Sequence, residues 1–86
     1  MKEDFDKILR SLNDEEKKVL KYFITYRSVG EILAVRELMG LYKVRDPAKI
    51  IGRLIELRLL SRGIGCYNIS KEFLEYLRRK GRVEIK

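Results

Sequence analysis

Histidine, tryptophan and glutamine are absent from this 86-residue chain, and cysteine and proline occur once each, as Cys66 and Pro47. Without histidine the usual proton shuttle of enzymes is missing. A single cysteine cannot form an internal disulfide, and a zinc site would lack its ordinary nitrogen and sulfur ligands. No paired-carboxylate, Cys/His or glycine-rich phosphate motif occurs, and the glycine pair at Gly63 and Gly65 is too short to count. These absences argue against an enzyme, a metal site, a cofactor or a small-molecule substrate. No apolar run reaches the length of about eighteen residues that a membrane span needs. The acidic, charged start is unlike a secretory signal. A cytoplasmic location is expected.

What the chain does have is charge. Charged residues make up 38%, the net charge is +7 and the pI is about 9.7. The distribution is uneven: residues 1–16 hold three Lys/Arg against six Asp/Glu, and residues 17–86 hold seventeen against seven. A nucleic-acid or acidic partner becomes plausible, beside the plainer reading of a solvated basic face. The same mix is thermophile-like. With 45% hydrophobic residues and no linker, repeat or low-complexity stretch, the sequence reads as one domain over 1–86.

Periodicity predicts the elements. Phe5, Ile8, Leu9 and Leu12 form one stripe of a short helix over 3–12. Asn13 begins a second helix, with Glu16 at capping-box spacing, and Val19, Leu20, Phe23, Ile24 and Tyr26 on its buried side. Ile32 and Leu33 suggest a short strand, followed by a short helix through Val35, Leu38 and Met39 that ends near Gly40. Leu59–Arg62 and Cys66–Ile69 read as two strands around a glycine turn. Ser70 can cap a last helix, with Phe73, Leu74 and Leu77 inward, Arg78, Arg79 and Lys80 at its end, and Gly81 as the residue after it. The tail RVEIK could pair as a strand or hang free.

The helix over 47–58 poses the sharpest question. Asp46 suits the N-cap and Pro47 the first position, while Ile50, Ile51, Leu54 and Leu57 share one side. Yet Lys43, Arg45 and Lys49 crowd a helix start that already carries partial positive charge. Cations there weaken the helix unless an anion comes to rest among them. Gly52 falls on the outer side, where a missing side chain lets a surface approach closely, or it marks tight helix packing.

The order helix, short strand, helix, turn, helix, hairpin, helix resembles the winged helix-turn-helix family over roughly residues 14–80. The strongest part is AVRELMGLYKVRDPAKIIGRLIELRLLSRGIGCYNIS. The resemblance implies a mainly α fold with a small β-hairpin, carrying an extra N-terminal helix and a C-terminal helix. That family often has glycine where Arg58 stands. The resemblance also implies duplex DNA binding, with Lys43, Arg45, Lys49 and Arg53 near DNA from the turn and third core helix, and Arg62 from the wing. Arg53, one turn deeper, has the fork that reads a guanine edge, although Glu56 lies within reach to pair with it. Arg36 could contact phosphate or pair with carboxylates near Glu37, the structural role being favoured. Arg58 is read as a helix C-cap, Tyr42 and Tyr67 as half-buried rim residues, and Cys66 as a small buried or edge residue.

The function expected from the resemblance is a double-stranded DNA-binding transcriptional regulator or chromatin-associated factor. A homodimer through the first or last helix would match two half-sites. Two other readings stand beside it. A winged helix used for protein–protein contact in a larger assembly predicts an exposed apolar patch in place of a continuous basic face. RNA or ribosome binding is compatible with the charge.

Overall fold

The computed structural model of the chain describes residues 4–80. Five helices and three strands follow in the order α1 Phe5–Ser11, α2 Asp14–Tyr26, β1 Ser28–Gly30, α3 Glu31–Gly40, α4 Pro47–Glu56, β2 Leu60–Gly63, β3 Cys66–Ile69 and α5 Lys71–Lys80. The fold class is mainly α with a small β-hairpin, in a winged-helix-like arrangement flanked by an extra helix at each end. The predicted Gly81 cap and the tail over 81–86 lie outside the described residues.

Local chemistry sets most of the boundaries. The Asn13 side chain accepts from the Glu16 N–H at 2.8 Å, and Glu16 Oε1 accepts from the Asn13 N–H at 2.9 Å, closing the capping box of α2. Asp46 caps α4 through the Lys49 N–H at 3.4 Å, with Pro47 in the first turn. Ser70 is buried; its Oγ accepts from the Phe73 N–H at 3.0 Å and donates to the Arg58 carbonyl at 2.6 Å. One hydroxyl thus starts α5 and holds the exit of α4.

The predicted strand at Ile32 and Leu33 is corrected. The strand is β1, Ser28–Gly30, and both leucine-like residues lie in the first turn of α3. Val29 is the buried member of β1 and pairs with Tyr67 on β3. Two apolar residues in a row match a strand poorly, because neighbours point to opposite faces. Tyr26 is corrected too: it is exposed, and Tyr22 is buried instead, because α2 runs out at Tyr26 beyond the core.

The sheet is antiparallel with strand order β1-β3-β2, so the hairpin β2–β3 recruits β1 at one edge. Phe23, Leu20, Leu38, Ile51, Leu54, Leu59 and Phe73 are fully enclosed between the helices and the sheet. Each such side chain contributes on the order of 1.5–3 kcal/mol relative to exposure. The stripe of α1 is used inside the chain: Phe5 packs at 5.3 Å from both Phe73 and Tyr76, and Leu12 is buried. Tyr76 Oη also donates to the Asp6 carboxylate, tying α5 to α1.

Three cations occupy left-handed backbone: Arg27 at φ 67°, Lys43 at φ 59° and Arg58 at φ 64°. Each follows or ends a helix. Arg58, at the place where the winged-helix pattern often has glycine, adopts the conformation that glycine favours.

Candidate protein-docking face

The cations singled out from sequence do not form one ridge. Arg45, Lys49 and Arg53 share a shallow depression with Asn13, Glu15, Glu16 and Asp46. Lys43 is not part of that depression, and Arg62 lies on β2 over the Tyr67 ring at 5.6 Å. The carboxylates of α2 answer part of this charge. Arg53 Nε is 3.4 Å from Glu16 Oε2, while Glu15 Oε2 accepts from the backbone N–H of Arg45 at 3.4 Å and not from its guanidinium. The carboxylate that Arg53 meets is Glu16 on α2 and not Glu56, the alternative partner on its own helix, because the long-range packing of α2 on α4 sets that reach. Lys49 is exposed and makes no ion pair among the described residues. The outer side of Gly52 is open, with no atom within 4 Å of the place a Cβ would take.

The helix before it has a different surface. The exposed large hydrophobic side chains among the described residues are Tyr26, Ile32, Leu33, Met39, Leu41 and Ile64. Ile32, Leu33 and Met39 belong to α3, and Leu41 is its C-cap. Ile32 is 76% exposed and Leu41 72%, against 0% for Ala34 and Leu38 on the opposite side of the same helix. The remaining two are linked to α3 through neighbours, Ile64 through Gly65 and Tyr26 through Tyr22. The Glu31 N–H donates to the Gly65 carbonyl at 3.0 Å, which sets the hairpin tip, with Ile64, beside the start of α3. At the other end, Tyr22 Oη donates to Glu37 Oε1 at 2.5 Å, and the Tyr22 ring lies 5.0 Å from Tyr26 and 5.5 Å from Tyr42.

Burial and the Glu37 carboxylate push the Tyr22 hydroxyl pKa well up. Burial also raises Tyr42, helped by Tyr26 and Glu37. Tyr67 is raised by burial and then by the Glu31 carboxylate. These phenols stay neutral at physiological pH, and Tyr22 is hydrogen-bonded to α3 through Glu37. Of the two carboxylates of α3, Glu37 accepts a hydrogen bond from Tyr22.

Sequence reasoning missed this face. Its signal was present: EILAVRELMG is apolar almost all round, and one helix side can bury only some of those residues. Reading Ile32 and Leu33 as a strand hid the surplus.

The molecule is therefore a winged-helix-like domain whose α3 carries a large uncovered apolar surface, of the kind that marks contact with another macromolecule. The sequence profile of the family described as PolB1 Binding Protein 2 matches residues 13–75, which span the core from α2 into α5. The chain belongs to that family. No individual curated protein matches it. No helix among the described residues is long and apolar enough to cross a membrane, and no group of His, Cys, Asp and Glu among them could hold a metal ion.

Proposed function

We propose that this chain is a protein–protein interaction module that binds PolB1, a DNA polymerase, and that α3 presents the contact. The observation that carries this reading is the collection of exposed apolar side chains on and around α3. It was the feature expected of a winged helix that serves assembly. The family's description supplies the partner.

The test is titration of PolB1 with the purified chain and with the double variant Ile32→Asp, Leu33→Asp. Central apolar anchors at interfaces are worth about 2 kcal/mol or more each. The variant is expected to bind at least about thirty-fold more weakly with an unchanged circular dichroism spectrum. Binding at wild-type strength defeats α3 as the contact.

A second reading, duplex DNA contact through Lys43, Arg45, Lys49, Arg53 and Arg62, is supported by the exposed Lys49 and the open outer side of Gly52. In that reading the protein would serve transcription or chromatin organisation. Anisotropy with labelled duplex at two salt concentrations tests it. The expected slope is about −0.9 per neutralised phosphate, and Lys49→Glu with Arg53→Glu should abolish binding. A flat salt response removes this reading, competition by structured RNA redirects it to RNA, and the mass in solution decides the homodimer.

A further inference from the structure

Stepping about 100° per residue around α3, the exposed positions fall in the order Met39, Ile32, Arg36, Gly40, Leu33. Arg36 therefore stands in the middle of the apolar arc. Among the described residues its guanidinium makes no ion pair, hydrogen bond or ring contact. Of the two carboxylates on its helix, Glu37 accepts from Tyr22, and Glu31 stands about 140° round the helix from Arg36. Nothing among the described residues is arranged to neutralise it.

A cation so placed is harmless in water. It becomes costly when a partner covers the apolar residues around it, because an ion stripped of water and left unpaired is strongly unfavourable. The apolar surroundings invite burial, so the group that buries them must bring an anion. Guanidinium is suited to this, since its planar fork takes both oxygens of one carboxylate and is more weakly hydrated than an ammonium. Gly40, beside Arg36 on the same arc, has no atom within 4 Å of the place a Cβ would take, which leaves room for a closely approaching backbone.

We propose that the occupant of this face is an apolar segment of PolB1 that carries an aspartate or glutamate, and that its carboxylate pairs with Arg36 of α3. This rests on the reading of α3 as the PolB1 contact. The apolar side chains supply the affinity, and the single buried ion pair sets register and selects against segments with a neutral or basic residue at that place.

The experiment compares PolB1 binding by the wild-type chain, Arg36→Glu, Arg36→Lys, Ile32→Asp with Leu33→Asp, and Lys49→Glu as a charge change away from α3. Arg36→Glu is expected to bind at least about thirty-fold more weakly, since it sets two carboxylates against each other. Arg36→Lys should fall between it and wild type, and Lys49→Glu should stay within about three-fold of wild type. A PolB1 variant with lysine in place of that acidic residue should restore binding by Arg36→Glu. If the apolar variant weakens while Arg36→Glu binds as wild type, the acidic partner is overturned and the α3 contact survives. If the apolar variant also binds normally, the α3 contact itself is wrong. If the free chain self-associates and Arg36→Glu abolishes that association without affecting PolB1, the occupant is a second copy and the proposal fails.

Discussion

The backbone N–H of Glu31 donates to the carbonyl oxygen of Gly65 at 3.0 Å, so the tip of the wing is tied to the first turn of α3. Gly65 can serve there because its φ of 68° lies in the left-handed region, which costs a side-chain-bearing residue about 1–2 kcal/mol. Gly65→Ala is therefore expected to lower stability by roughly that amount in a urea titration. Ile64 beside it is 104% exposed, so Ile64→Asp should leave the urea midpoint unchanged. If the wing tip extends the docking face, the same substitution weakens PolB1 binding several-fold, which calorimetry would show.

The buried Ser70 joins two helices through one oxygen. Ser70→Ala removes the cap of α5 and strands the Arg58 carbonyl. The expected loss is about 1–3 kcal/mol, read as a lower urea midpoint with an unchanged slope. A loss under a few tenths of a kcal/mol would mean that water replaces the hydroxyl at both groups.

Glu16 serves two elements, closing the capping box of α2 and pairing with Arg53 of α4. The Arg53 side chain is 60% exposed, so Arg53→Ala should cost less than about 1 kcal/mol. Glu16→Ala should cost more, because the reciprocal cap goes with the ion pair. If α4 contacts DNA, Glu16→Ala also frees Arg53 and tightens duplex binding. Equal stability losses for the two variants would show that the cap contributes nothing here.

Alkaline and acid limbs of stability have opposite signs. Burial and the Asp6 carboxylate push the Tyr76 phenol up to about 12 from its ordinary 10.0. Between those values the folded chain holds the proton that the unfolded chain has lost, so stability present below pH 10 falls as pH rises toward 12. Tyr22 is shifted in the same direction and adds to the loss. Asp6 is lowered, first by the hydrogen bond from Tyr76 and then by Lys80, so its contribution is present above the ordinary carboxylate pKa and is lost as pH falls through the depressed value. Urea midpoints measured across pH should decline at both extremes. Tyr76→Phe should flatten its share of both limbs, and an unchanged profile would exclude the Tyr76–Asp6 contact as their source.

Much of the fold was legible because its signals are local. Asn13 with Glu16, Asp46 before Pro47, and Ser70 before an amphipathic run each mark a helix start within four residues. The hairpin was legible from Gly63 and Gly65 between apolar strands. β1 was not, because a three-residue strand exists only through its pairing with β3, and Ser28, Val29 and Gly30 carry no period of their own. The ion pair of Arg53 with Glu16 was not legible for a similar reason. Glu56 is a neighbour along the helix, whereas Glu16 is a neighbour only once α2 and α4 pack.

The sequence by itself determined α1, α2, α4, α5, the hairpin and most of the residues those helices send into the core, since these follow from periodicity and capping chemistry read a few residues at a time. Only the tertiary structure decided which surplus stays outside. Ile32, Leu33 and Met39 are as apolar as Leu38, and what separates them is that the core is already closed by Ala34 and Leu38 on the other side of α3. Burial depends on what else occupies the space around a residue, and no local pattern carries that information.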